Sequence, residues 1–132
     1  MKKRILSIFL CLVMVFSLLP FTASAASAVP INEETFPDPV FREYVRKIVG
    51  SSVLTEEKAR QIEVLDVSDD NIKEVLGDRA PITSLMGIRY LRYVKDLNCS
   101  GQELKKTLNL EQNSRVEKLN CSGNQLTGLW FH

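Results

Sequence analysis

The pentapeptide Leu97-Asn98-Cys99-Ser100-Gly101 returns as Leu119-Asn120-Cys121-Ser122-Gly123, an offset of 22 residues. Val94 and Val116 recur at that offset, and so do Leu104 and Leu126. A fixed period in the twenties means that one structural unit is used again, each unit burying its apolar face against the next. Such an arrangement builds a surface for binding rather than a container for catalysis.

The apolar order within the period is L-x-x-L-x-L-x-x-N-x-L, the mark of a leucine-rich repeat. One repeat reads Ile62, Leu65, Val67, Ile72, with Asp70 in the place of the Asn. The next reads Val94, Leu97, Cys99, Leu104, with Gln102 there, and the third reads Val116, Leu119, Cys121, Asn124, Leu126. From Leu65 to Leu97 the interval is one period plus about ten residues. That surplus falls between Asn71 and Pro81 and reads as a loop ending Gly77-Asp78-Arg79-Ala80-Pro81. Ile82, Leu85, Ile88 and Leu91, then Leu108 and Leu110, resume the apolar rhythm and line the backs of the coils. The predicted fold class is α/β: a short right-handed leucine-rich-repeat solenoid over residues 62–132, parallel strands on one face, preceded by an α-helical N-terminal cap.

Residues 1–25 read as a secretory signal peptide. Lys2, Lys3 and Arg4 are followed by an apolar run from Ile5 to Leu19, then Pro20 and the small-residue cleavage site Ala23-Ser24-Ala25. The run falls short of the roughly 20 residues that span a bilayer. Residues 26–61 read as a polar leader followed by the cap. Asp38 caps a helix that opens with Pro39, and Val40, Phe41, Tyr44, Val45, Ile48 and Val49 form its apolar face. Gly50 ends it. Thr55, Glu56 and Glu57 open a second, shorter helix with Ala59 and Ile62 inward.

Removing the signal peptide takes away three of the 17 Lys and Arg and none of the 16 Asp and Glu, so the formal charge moves from +1 to about −2. No basic stripe suggests nucleic acid. The one His is His132, which leaves no firm base for a Ser or Cys nucleophile. Asp69-Asp70 are adjacent acids without a visible pocket, and no Cys/His spacing suits zinc. The chain is therefore expected to be non-catalytic, without cofactor or metal. Cys99 and Cys121, on consecutive repeats, are expected to be free thiols serving as small apolar residues.

The segments Phe36-Pro37-Asp38, Tyr44-Val45, Leu65-Asp66-Val67-Ser68, Ile82 to Leu91 and the two Leu-Asn-Cys-Ser-Gly blocks resemble the secreted leucine-rich-repeat proteins of Gram-positive bacteria, the internalin-like group and its clostridial relatives. That resemblance implies a secreted or cell-surface binding module that recognises a protein or a surface glycan. It also implies an acidic loop between the two cap helices. Here that place is Val49-Gly50-Ser51-Ser52-Val53, which has no carboxylate, so a calcium site is not expected.

Two surfaces are candidates for binding. The concave face is expected to carry Glu63, Asp66 and Ser68, then Lys95, Asn98 and Ser100, then Glu117, Asn120 and Ser122. The flank before the second strand carries Arg89, Tyr90, Arg92 and Tyr93, a pairing suited to stacking and forked hydrogen bonds. Leu129, Trp130, Phe131 and His132 begin a further half-turn. They are expected to fold back over the last coil, to mediate self-association, or to mark a truncated member of a longer adhesin-like protein.

Overall fold

A computed structural model describes residues 28–131. The expected signal peptide and His132 lie outside the described residues. From residue 28 on, the expected polar leader packs into the folded body. Strand β1 (Val29–Pro30) pairs antiparallel with β2 (Val53–Leu54), and Ile31 and Phe36 are fully buried. The intervening turn is closed by the Asn32 side chain, whose Oδ1 accepts from the amides of Glu34 and Thr35.

Helix α1 (Pro39–Val49) begins where the Asp-Pro pair predicts. Asp38 Oδ1 accepts from the amides of Val40 and Phe41, each at 3.0 Å. Its Oδ2 accepts from the amide of Thr83 at 2.9 Å, so one carboxylate both starts the helix and ties it to a loop 45 residues away. Gly50 ends α1 in the left-handed region, φ 73, and its N–H donates to the Arg46 carbonyl. Val40, Phe41, Tyr44, Val45 and Val49 are buried, but Ile48 is 38% exposed and lies off the apolar face. Helix α2 (Glu56–Gln61) is capped by Thr55, with Ala59 buried and Ile62 packed at the edge of the core.

Three short strands then form a parallel sheet in the order β3 (Val64–Asp66), β4 (Asp96–Asn98), β6 (Lys118–Asn120). Leu65 stands beside Leu97, and Leu97 beside Leu119. Backbone bonds extend the ladder past the strands: Val67 N–H to Asn98 O, Cys99 N–H to Asn120 O and Gly101 N–H to Ser122 O, at 2.8 to 2.9 Å. On the opposite side, β5 (Lys105–Leu110) pairs in parallel with β7 (Gln125–Phe131), across a bulge at Lys106/Thr107. One buried core takes in Leu65 and Leu97, side by side in the sheet, with Val67, Cys99, Ile82 and Leu104.

The first part of the extra segment, up to Leu76, is helical rather than a loop, while Gly77-Asp78-Arg79-Ala80-Pro81 is the expected loop. Helix α3 (Asp69–Leu76) is capped by Ser68, which accepts from the Asn71 amide. The reason lies in one substitution within the repeat. Gly101 and Gly123 follow Ser100 and Ser122 with φ 71 and 66, a turn that L side chains resist. The first repeat has Asp69 at this place, which with Asp70 suits a helix N-terminus instead. Ile72 is buried, and Lys47 and Glu43 of α1 reach the Val75 carbonyl and Arg79, docking the insertion on α1.

Side-chain amides join the repeats at their turns. Gln102 is 4% exposed; its Nε2 donates to the Val67 carbonyl at 2.8 Å and its Oε1 accepts from the Ile82 amide at 2.9 Å. Asn124 repeats this one rung on, donating to the Cys99 carbonyl and accepting from the Leu104 amide. In the first repeat Asp70 is exposed, and it is Asn71 that donates to a backbone carbonyl, that of Asp66. Gln102→Ala strands a buried donor and a buried acceptor, so it should destabilise the fold by about 2–4 kcal/mol in urea unfolding. Asp70→Ala should cost under about 1 kcal/mol, the loss of a helix-end carboxylate.

Candidate functional site

On the three-stranded sheet the leucines point inward, so the residues on either side of each leucine point out. The open face is thus Val64 and Asp66, Asp96 and Asn98, Lys118 and Asn120. This corrects the expected placement of Glu63, Lys95 and Glu117, which lie one residue before the strands. There the Glu63 carbonyl receives the Lys95 amide, and the Lys95 carbonyl receives the Glu117 amide. Lys95 Nζ also sits 3.3 Å from Glu63 Oε1.

The polar strip on this face is largely engaged in its own turns. Asp66 Oδ1 accepts from the amide and hydroxyl of Ser68, at 3.1 and 2.6 Å. Asn98 does the same with Ser100, and Asn120 with Ser122. Each serine turns back on the residue two before it, so these groups first close the corner where the strand ends. What stays outward is the amide N–H₂ of Asn98 and Asn120, the second Asp66 oxygen, and the Asp96 and Lys118 side chains.

The flank is richer. Ile88–Tyr90 form a single 3₁₀ turn, opened by Gly87 at φ 104. A Cβ on Gly87 would lie 2.4 Å from the Thr35 carbonyl and 2.5 Å from the Phe36 ring, so only glycine lets the turn pack there. The turn sets the Arg89 guanidinium over the Tyr90 ring at 5.0 Å, and Tyr90 leans on Phe36. Tyr93 donates its hydroxyl to Glu56 Oε1, and Arg92 Nη2 donates to Glu56 Oε2 at 3.1 Å. The Tyr93 hydrogen bond, followed by that of Arg92, holds the Glu56 carboxyl below its ordinary pKa, outweighing a partial desolvation that acts the other way. Two guanidiniums flank the Tyr93 ring: Arg115 at 4.5 Å from its centroid and Arg60 at 5.9 Å.

All four predicted flank residues are therefore brought together, and they are joined by three that the sequence reading leaves out. Arg115 stands 22 residues after Tyr93, so the repeat period itself carries that contact. Glu56 and Arg60 reach the flank from α2, and no local pattern signals it. Among the described residues, neither Arg89 nor Arg115 has a carboxylate within ion-pair distance.

At the far end of the chain, Trp130 and Phe131 pair through β7 with Asn109 and Leu110 instead of folding back as a lid. They are 58% and 69% exposed. Phe131, with Leu110, Val116, Leu119 and Leu129, borders a shallow apolar depression of about 310 Å³ on the last rung. Asn113 lies at its edge, 2% exposed. Its Nδ2 donates to the Ile88 and Leu91 carbonyls while its buried Oδ1 has no partner.

Cys99 and Cys121 follow directly on the paired Asn98 and Asn120, and both are free thiols. Burial, with Cys121 adding a smaller effect, pushes the Cys99 thiol up to about 12. Among the described residues no group of three or more His, Cys, Asp or Glu is placed to hold a metal ion, and no helix is long and apolar enough to cross a membrane.

No protein-family description matches the chain, and no curated protein matches it. Solved structures do. Internalin C2 of Listeria monocytogenes superposes with a TM-score of 0.59 at 24% identity, over 76% of this chain and 42% of that one. The functional domain of InlJ from the same organism, described as including a cysteine ladder, gives 0.60 at 25% identity over 76% and 20%. The L. monocytogenes internalin InlF gives 0.60 at 25% over 78% and 28%. The chain thus spans less than half the length of each of these structures. Its fold is an internalin-like α/β leucine-rich-repeat fold.

Iodoacetamide applied to the folded protein at pH 8 should alkylate half-buried Cys121 and spare Cys99, with both reacting in urea; peptide mass spectrometry reads the ratio. Equal labelling in the folded state would contradict the burial of Cys99. The raised Cys99 pKa also has a sign: its contribution to stability is full below the ordinary thiol value and is lost as pH climbs toward about 12. Cys99→Ala should therefore flatten the alkaline arm of the stability curve.

Proposed function

We propose that this chain is a secreted or cell-surface, non-catalytic leucine-rich-repeat module that recognises a protein. In this reading residues 1–25 direct export and are removed, and residues 26–61 form the helical cap of a short right-handed solenoid. Residues 62–132 carry most of the binding surface, with Glu56 and Arg60 of the cap adjoining it. The observation that supports it best is the flank cluster: exposed guanidiniums stacked on tyrosines across two rungs, the chemistry enriched where proteins bind proteins. The internalin-like fold agrees with it, as fold analogy alone. The open sheet face, Asp66, Asn98, Lys118 and Asn120, is a secondary contact area, because its serines and amide oxygens are already used in turns.

The test is saturable binding of the purified secreted protein to intact cells, followed by cross-linking to surface proteins. Arg92→Ala with Tyr93→Ala should reduce binding by about tenfold, the loss of one to two strong contacts, while the protein stays folded. Binding that does not saturate, or that survives this change and Lys118→Ala alike, would overturn the reading.

A second reading has its own observation, the apolar depression bordered by Leu110, Val116, Leu119, Leu129 and exposed Phe131. There the last rung docks a second copy of the chain. Sedimentation should then show concentration-dependent dimers abolished by changing Trp130 and Phe131 to polar residues, and a monomer at all concentrations would dismiss it.

A further inference from the structure

The flank is a groove as well as a cluster. Two shallow depressions, of about 590 and 620 Å³, share Arg92 and Gln112 and so run together. At one end Val29 is half-buried and offers apolar surface, while Leu54 and Ala59 are buried. Phe131 makes the other end apolar, and it is 69% exposed. Between them lie Arg89, Arg92 and Arg115, with Arg60 beyond Tyr93.

The charge along this path is unbalanced. Glu56 is taken up by Arg92, Arg60 and Tyr93, and Glu111 is the one other carboxylate lining it. Arg89 and Arg115 lie over tyrosine rings, at 5.0 and 4.5 Å from the centroids, and neither guanidinium has a carboxylate within ion-pair distance among the described residues. A guanidinium held this way has lost much of its freedom before a ligand arrives, so less is lost on binding. The group that matches such a fork is a carboxylate, bound through two parallel hydrogen bonds. The molecule as a whole does not attract anions. Residues 28–131 hold 14 of the 17 basic residues and all 16 acidic ones, a net charge of about −2.

We propose that this groove binds an extended acidic peptide segment of the partner protein, its carboxylates on Arg89 and Arg115 and its apolar side chains on Phe131 and Val29. The proposal rests on the protein-recognition reading above and names the partner's chemistry. A uronic-acid polysaccharide would satisfy the arginines but would leave exposed Phe131 without an apolar partner.

The experiment uses fluorescence anisotropy of the purified secreted protein with four dye-labelled probes of equal length: oligoglutamate, oligoglutamate with leucine at intervals, oligolysine and oligogalacturonate. The leucine-containing acidic peptide should bind tightest and oligolysine not at all, with affinity falling as salt rises. Arg115→Ala and Arg89→Ala should each weaken it about five- to tenfold, the loss of one forked carboxylate contact. Lys105→Ala, on the opposite sheet, should change nothing. If Arg115→Ala lowers the melting temperature substantially, exposed Arg89 decides the matter. Unchanged affinity in the arginine variants, tighter binding of oligogalacturonate, or no binding of either acidic peptide overturns the proposal. None of these results touches saturable cell-surface binding, so the two readings fail separately.

Discussion

Backbone hydrogen bonds running from Glu63 to Asp69, and repeated one rung further on, hold Leu65, Leu97 and Leu119 in a single column. The side-chain period of a strand is two, so a slip of one residue would turn all three leucines outward and Asp66, Asn98 and Asn120 inward. The buried leucines prevent that slip. Once the register is fixed, equivalent residues of neighbouring repeats must face each other. The Gln102 and Asn124 amides, the Gly101 and Gly123 turns, the thiols and the Tyr93–Arg115 stack all inherit their places from it.

The same constraint divides the polar groups by role. At the corner after each strand, backbone N–H groups leave the ladder and need acceptors, and Asp66, Asn98 and Asn120 supply them. Their repetition is a requirement of the turn, and it is why a row that looks like a binding strip offers a visitor few free groups. On the flank no such debt exists. There Arg89, Arg92 and Arg115 are held by rings and by one carboxylate, and keep donors to spare.

How much of this was legible in the sequence follows from the range of each contact. Helix α1 was visible in Asp38-Pro39 and Gly50, and the inward columns in the period, because those signals are local or regular. Helix α3 was missed where Asp69 replaces the repeat's glycine, although Ser68 followed by two acids is a helix start. On the strand face Asp66, Asn98 and Asn120 stand where expected, but the leading residue of each rung is off by one, since the apolar pattern names the inward leucine without saying where the strand begins. Val64, 66% exposed on that face, has no polar pattern to mark it. Glu56 read as a helix-end carboxylate. Its pairing with Tyr93 joins residues 37 apart, and only the folded chain reveals it. Asn113, which ties the third repeat to the Ile88 and Leu91 carbonyls, stands where the previous repeat has Leu91 and broke the apolar pattern without explanation.

The register of the parallel ladder is the claim on which the rest stands, and scalar coupling across hydrogen bonds reads it directly. In isotopically labelled protein, the Cys99 amide nitrogen should couple to the Asn120 carbonyl carbon and the Val67 nitrogen to that of Asn98, bonds of 2.8 Å here. Couplings to any other carbonyl, or amides of Val67 and Cys99 that exchange with water as fast as an open chain, would contradict the account.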